Sequence, residues 1–525
     1  MSSVVPMLEK ELSELFYMYF LSFSIPSLLL FFFLYKWISN KSSKLKNLPP
    51  SPPKLPILGH LHNLGMLPHR TFKSWSEQYG GLMLIYLGSK PALVVSSAKV
   101  AKEIMKTHDA LISNRGRFSI NDKLFYNRRD VAACSYGEYW RQMKSIFMLQ
   151  LLSNRRVRSY RGIREQETSL LMEKIKQNNN NSSAVNLSDM FMVLTNDVVC
   201  RVAFGRKYSE NYQGGGIDIK VVLKEFVELV GTFNVGDFIP WLAWLNRFNG
   251  LNAKLERVAK NIDLLLEEIL TDHSDRLNQT GNDSDGENEN EAKDFVDVLL
   301  QVQKENSAGF PLERDSIKAL IVDAFSAGTD TTYTVLEWAM TELIRNPRIM
   351  EQVQKEVRGI GGNRDKITED ELPKMKYLKA VISETLRMYP PNPLLVPRET
   401  TQDLKINGYD ICSETLVFIN AWALQRDPAT WPEPEEFRPE RFMDSSIDLK
   451  RQDFELVPFG GGRRICPGIS FSAAINELVL ANLVYNFDWA LPVGVTPETL
   501  DMSECPGLTI HRSAPLLALP TPHTF

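Results

Sequence analysis

The sequence predicts a mainly α fold with a small β region behind one N-terminal transmembrane helix, and three observations carry that reading. Apolar residues recur at helical spacing across most of the stretch from Ser97 to Leu386. Strand-like patterning is concentrated in Leu82 to Ser96, where Met83, Ile85 and Leu87 precede, and Leu93, Val94 and Val95 follow, a Gly88-Ser89-Lys90 turn, as in a hairpin. The run from Leu15 to Tyr35 carries no charged residue and is long enough to cross a bilayer core of about 30 Å as a helix.

Glu9, Glu11 and Glu14 precede that run and Lys36, Lys41, Lys44 and Lys46 follow it. The positive-inside rule then places the C-terminal side in the cytosol. A cleaved signal peptide would show the reverse charge order and a small-residue cleavage site. Residues 1–38 are therefore expected to be a retained signal anchor, single-pass, with the endoplasmic reticulum as its membrane. Residues 39–56 form a Lys- and Pro-rich hinge, whose segment Leu48 to Pro56 is held extended by its prolines. Residues 57–525 are expected to form one catalytic domain, with polar loops at Asn178 to Ser183 and Asn278 to Glu291.

The 525 residues contain 60 Lys and Arg against 64 Asp and Glu, a net charge of -4 with no long basic run, which gives no reason to expect a nucleic-acid partner. Five cysteines stand at 134, 200, 412, 466 and 505, none in a Cys-x-x-Cys pair, so neither a zinc site nor a disulfide framework is indicated. No Gly-x-Gly-x-x-Gly follows a strand, and Gly359-Ile-Gly-Gly362 lacks the helix start that nucleotide binding needs; electrons must come from another protein. In the long helical stretch Ile317 to Ile344, the segment Ala327-Gly-Thr-Asp-Thr-Thr332 places glycine and three threonines where a helix favours alanine or leucine. Threonine hydroxyls can bond the preceding turn's carbonyls, and the small residues 327 and 328 leave room for a diatomic ligand. In Phe459 to Gly468, Cys466 precedes a proline at the start of a predicted helix. The helix dipole is expected to lower its thiol pKa and make it an anionic metal ligand. Gly462 and Gly468 would let backbone amides approach the sulfur, and Arg464 would pair with a carboxylate.

Phe459, Gly462, Arg464, Cys466 and Gly468 meet the Phe-x-x-Gly-x-Arg-x-Cys-x-Gly pattern of the cytochrome P450 superfamily. Together with Ala327 to Thr332 and Asn420-Ala-Trp422, the chain most resembles the plant microsomal A-type group. The resemblance implies a haem-thiolate monooxygenase domain of cytochrome P450 fold, with haem b as cofactor and Cys466 as axial ligand of its iron. Such a thiolate pushes electron density to the metal and favours O–O cleavage. Phe459, Arg464, Trp140, Lys144 and Arg398 become cofactor-binding residues; Lys144 stands where arginine is more usual, and Arg398 can also be read as an ordinary strand-end charge. Thr331 and Asp330 become the catalytic pair that brings protons to the oxygen being activated. Glu384, Arg387 and Arg441 would brace the fold.

The same resemblance implies a small hydrophobic plant specialised metabolite of terpenoid, indole, phenylpropanoid or aldoxime type as substrate. Phe118, Ile120, Phe125, Ala324, Ala327, Leu394, Leu395 and Val396 would line its pocket. Electrons would come from NADPH through NADPH–cytochrome P450 reductase on the same membrane, docked on Arg141, Arg155, Arg156 and Arg158, which can also be read as a solvated basic face. Two other readings stay open: a haem-thiolate dehydratase or isomerase without net oxygenation, and a non-catalytic membrane haem protein.

Overall fold

The hairpin forms as its alternation predicts, β1 (Leu82–Leu87) pairing antiparallel with β2 (Lys90–Val95). Its turn requires glycine. Gly88 has φ +59°, and a Cβ there would come within 2.4 Å of the Phe238 carbonyl oxygen. These observations belong to a computed structural model that describes residues 19–20, 22–33, 47–179, 184–207, 219–280, 293–306, 310–443, 447 and 453–524.

Helices make up most of the rest. Those that position the site are α1 (Glu138–Ile146), α2 (Arg161–Asn179), α3 (Leu187–Phe204), α4 (Leu251–Thr280), α5 (Arg314–Arg345), α6 (Pro347–Gly361), α7 (Lys376–Met388) and α8 (Ile469–Asn486). The 32-residue α5 runs through the centre and packs on α3, α7 and α8. Both of its flanks are buried almost all round, as a helix enclosed by other helices must be. Beside this body lies a four-stranded sheet of order β1-β2-β4-β3, in which β3 is Arg398–Glu399 and β4 is Leu416–Ile419. The β2–β4 pair is parallel, so the sheet joins an early segment of the chain to a late one.

The described part of the expected anchor, residues 19–20 and 22–33, is helical, with Phe23, Phe31 and their apolar neighbours exposed. Among the described residues no helix is long and apolar enough to cross a membrane. Residues 22–33 are one part of the expected span Leu15 to Tyr35. The ends of the expected span and its flanking Glu9, Glu11, Glu14, Lys36, Lys41, Lys44 and Lys46 lie outside the described residues. So do residues 180–183 and 281–291 of the two expected polar loops; their first residues, Asn178–Asn179 and Asn278–Thr280, instead complete α2 and α4.

The expected brace is formed. Arg387 grips Glu384 by two hydrogen bonds, Nε to Oε2 at 2.7 Å and Nη2 to Oε1 at 2.9 Å, and Arg441 Nε adds a third at 3.3 Å. All three side chains are at most 5% exposed. Gln425, which carried no motif, extends the network: its carbonyl accepts Arg387 Nη1 at 2.7 Å, its amide nitrogen donates to the Leu386 and Arg387 carbonyls, and its Oε1 accepts the Val457 N–H at 2.9 Å. Val457 opens the approach to Cys466. Removing the Arg387 guanidinium would leave the Glu384 carboxylate buried with half its partners gone. Arg387→Ala should cost about 3 to 5 kcal/mol in urea unfolding followed by circular dichroism; an unchanged midpoint would contradict this role.

Candidate active site

The cysteine loop is shaped by two glycines with left-handed backbones, Gly460 at φ +69° and Gly462 at φ +61°. A Cβ on Gly462 would lie 2.4 Å from both the Met105 carbonyl oxygen and Asp109 Oδ1, so no other residue fits. Gly468, with φ -85°, has a backbone open to any residue, and its contribution is its N–H, which donates to Cys466 Sγ at 3.3 Å. The Cys466 N–H in turn donates to the carbonyl of the half-buried Phe459 at 3.0 Å. One expectation is corrected here. Burial pushes the Cys466 thiol up, and the Gly468 N–H and the Lys144 ammonium only partly offset it. The helix begins at Ile469, past the cysteine, and its positive end does not outweigh desolvation; bound metal is what deprotonates such a thiol.

Asp109 pins the loop from outside. Its Oδ2 accepts the Arg463 N–H at 2.9 Å and Arg463 Nη1 at 3.0 Å, and its Oδ1 accepts Arg398 Nη1 at 2.9 Å. Arg398 Nη2 also donates to the Gly461 carbonyl at 2.5 Å, so this arginine is a buried clamp on the loop as well as the end of β3. Among the described residues Arg464 meets no carboxylate. It donates to three carbonyls, Ser113 at 2.8 Å, Val131 at 2.9 Å and Cys134 at 2.5 Å, with its guanidinium over the Trp140 ring at 4.4 Å. The Trp140 indole N–H donates to the same Val131 carbonyl at 3.0 Å, and Lys144 donates to the Arg463 carbonyl. Burial, and next the Arg464 charge, push Lys144 down to about 8.

A third arginine, Arg115, was not expected. It is 7% exposed and donates only to the carbonyls of Ala132, Val396 and Pro397. Burial lowers Arg115 and Arg464, and the proximity of Arg398 lowers both further. Three guanidinium groups are thus gathered beside the cysteine loop, and only Arg398 has a direct carboxylate partner among the described residues. Such an excess of buried positive charge fits the two carboxylate propionates of haem, which Arg464, Arg398 and Arg115 would hold, with Trp140 and Lys144 beside them.

In α5 the flanks are closed, while Ala324 and residues 326–331 keep accessible surface. The threonines bond backward as expected: Thr331 Oγ1 donates to the Ala327 carbonyl at 2.7 Å and Thr329 Oγ1 to that of Phe325 at 3.1 Å. Gly328 has a different use from the one its size suggested. A Cβ there would come within 3.1 Å of Val199 Cγ2, so this glycine lets α3 approach α5, and Ala327 is the residue left exposed. Burial raises the Asp330 carboxyl, against a hydrogen bond from Thr509 and the charge of His511, both from the C-terminal segment and neither marked in the sequence. The expected pocket residues divide. Ile120 and Phe125 are buried in the helical core, Phe118 packs on Phe238 with ring centroids 5.9 Å apart, and Ala327 and Val396 are exposed. Leu394 packs against the sheet cluster, and Leu395 has φ +53°. Arg141, Arg155 and Arg158 are exposed and Arg156 half-buried, none with an ion-pair partner among the described residues; the short helix Asn154–Ser159 that carries three of them packs on α8.

A glycine-turned cysteine loop, a buried cluster of arginines and a polar, accessible turn in a long central helix define a haem-thiolate protein. Residues 49–518 match the family model described as Cytochrome P450, and the chain belongs to that family, in its plant A-type group. It is 54% identical over 494 residues to Cytochrome P450 736A117 of Prunus mume, covering 93% of this chain and 94% of that one. It is 48% identical over 496 residues to norfluorocurarine oxidase of a Strychnos species, covering 94% and 96%. Among solved structures it superposes on a zebra fish cytochrome P450 in complex with progesterone at a TM-score of 0.70 and 25% identity, over 87% of this chain and 99% of that one. The protein is a cytochrome P450 monooxygenase. Cys466→Ser should abolish the thiolate-type Soret band of the reduced carbon monoxide complex while leaving the far-ultraviolet circular dichroism unchanged; a retained band would assign the ligand elsewhere.

Proposed function

We propose that this protein inserts one atom of O2 into a small hydrophobic plant specialised metabolite, of terpenoid, indole, phenylpropanoid or aldoxime type. Its electrons come from NADPH through NADPH–cytochrome P450 reductase. The single observation that carries the oxygenase reading is Asp330 and Thr331 together on the accessible turn of α5, the helix that packs on α8 directly after Cys466. Haem, when bound, supplies the activation of dioxygen. The chain supplies the proton path: burial raises the Asp330 carboxyl, which suits it to pass on a proton, and the Thr331 hydroxyl, turned back to the Ala327 carbonyl, keeps its oxygen lone pairs free to accept a hydrogen bond. Relatives named norfluorocurarine oxidase and, in Tanacetum parthenium, 3-beta-hydroxylase support oxidation of a plant metabolite. The basic residues Arg141, Arg155 and Arg158 offer the reductase a face on the cysteine side.

A place on the endoplasmic reticulum membrane, single-pass with residues 57–525 facing the cytosol, is supported by exposed apolar residues in two parts of the chain. Phe33, the last described residue of the N-terminal helix, lies 6.3 Å from Trp241 between ring centroids, and Trp241, Trp244, Phe248 and Phe233 are all about half exposed or more. Aromatic residues grouped in this way suit the interface of a bilayer, from which a hydrophobic substrate can enter. Membranes carrying this protein and reductase, incubated with a plant metabolite extract, should yield a product one oxygen atom heavier only when NADPH is present. A product formed without NADPH, or lighter by one water, would favour dehydration instead. In the same assay Thr331→Ala should consume NADPH at a rate comparable to native but release peroxide in place of most product.

A further inference from the structure

Seven residues before Asp330, α5 carries a second acid, Asp323, which is 5% exposed and has no part in the proton supply described above. Its Oδ2 accepts the N–H groups of Val131 at 2.5 Å and Ala132 at 3.3 Å. Beside it is Asp130, fully buried, whose Oδ2 accepts the Ala133 N–H at 2.6 Å and whose Oδ1 meets no other donor. The two carboxyl groups are within hydrogen-bonding reach of one another. Two buried carboxylates within hydrogen-bonding reach of one another repel if both are charged, and one proton held between them removes that repulsion. Burial raises both groups and Asp130 raises Asp323 further, while the Ala133 N–H, Arg464 and Arg115 hold Asp130 back.

The turn these acids grip is the one that Arg464 and Trp140 grip from the opposite side. The Val131 peptide gives its N–H to Asp323 and its carbonyl to both Arg464 and Trp140; the Ala132 carbonyl takes Arg115 and the Cys134 carbonyl takes Arg464. The Val131–Ala132 peptide plane, whose N–H donates to Asp323 and whose carbonyl accepts from Arg464 and Trp140, therefore links the central helix to the cation cluster. The geometry points to Asp323 and Asp130 as positioning residues that share a single proton: a pair of net charge minus one that fixes the turn 130–134 on α5 and so sets Arg464 and Trp140 against the haem edge. The inference rests on the reading of Arg464 as a haem-holding group.

The test compares full-length holoprotein with Asp323→Asn, Asp130→Asn, the double asparagine variant, Asp323→Ala and Arg464→Ala. Haem transfer to excess apomyoglobin and the reduction potential are measured for each. Each single asparagine keeps one carboxylate and one neutral hydrogen-bonding partner, so both should hold the native potential and release haem at close to the native rate. The double variant loses the last negative charge and should move to a higher potential. In Asp323→Ala the Val131 and Ala132 N–H groups lose their acceptor, and haem should leave about 10- to 100-fold faster, as for other supports of a metal group. A potential that moves in both single asparagine variants would show two ionised carboxylates and overturn the shared proton. Native haem retention in Asp323→Ala, with fast loss from Arg464→Ala, would overturn the positioning role alone. Native retention in Arg464→Ala would overturn the haem-holding reading beneath it. Should Asp323→Ala not fold, the asparagine variants decide through the potential.

Discussion

The loop that presents Cys466 is held at both ends by buried charge, and the rest of the site is arranged around that constraint. Asp109 takes the Arg463 side, binding its backbone and guanidinium together, and reaches Arg398 on the sheet. On the upstream side, Glu384 and Arg387 pass through Gln425 to the Val457 N–H. Apolar packing alone orients a segment loosely, since it has no direction; charge-assisted hydrogen bonds fix angles as well as distances. A loop that must hold a sulfur toward a metal needs that directional restraint, and desolvated ion pairs provide it at the risk of large destabilisation when one partner is lost.

What could be read from the sequence was what lies close together along it. The hairpin at Gly88, the long helix around Asp330 and Thr331, the cysteine loop and the Glu384–Arg387 pair each sit within a few turns or one short loop, so spacing alone reveals them. Arg441 was found as the completion of a family pattern. Arg115, Asp109 and Gln425 were not, because they lie in segments without periodicity and act through partners dozens to hundreds of residues away. No local pattern records that the carbonyls of Ser113, Val131 and Cys134 converge on Arg464. The Cys466 thiol shows the same limit from another side. A helix start is visible in sequence, but the burial that opposes it is created by tertiary packing.

Beside the cysteine loop the polar groups are concentrated on one turn. Two arginines, two aspartates and one indole converge on residues 131–134, so their hydrogen bonds reinforce one another through shared peptide dipoles. The core around α5 is larger and mainly apolar, with buried polar side chains such as Ser316, Glu337, Thr341 and Glu342 set into it. This division lets the body fold by hydrophobic burial while a small polar region determines the geometry of the site.

The close approach of α3 to α5 at Gly328 separates two kinds of sequence change. At position 328 a Cβ would come within 3.1 Å of Val199 Cγ2, so a larger residue needs that side chain to give by a few tenths of an ångström, whereas its neighbour Ala327 keeps accessible surface. Adjacent residues on one turn thus carry different duties, one setting how closely two helices approach and the other bordering the site. A change at 328 is felt through the spacing of two helices, and a change at 327 directly at the edge of the site.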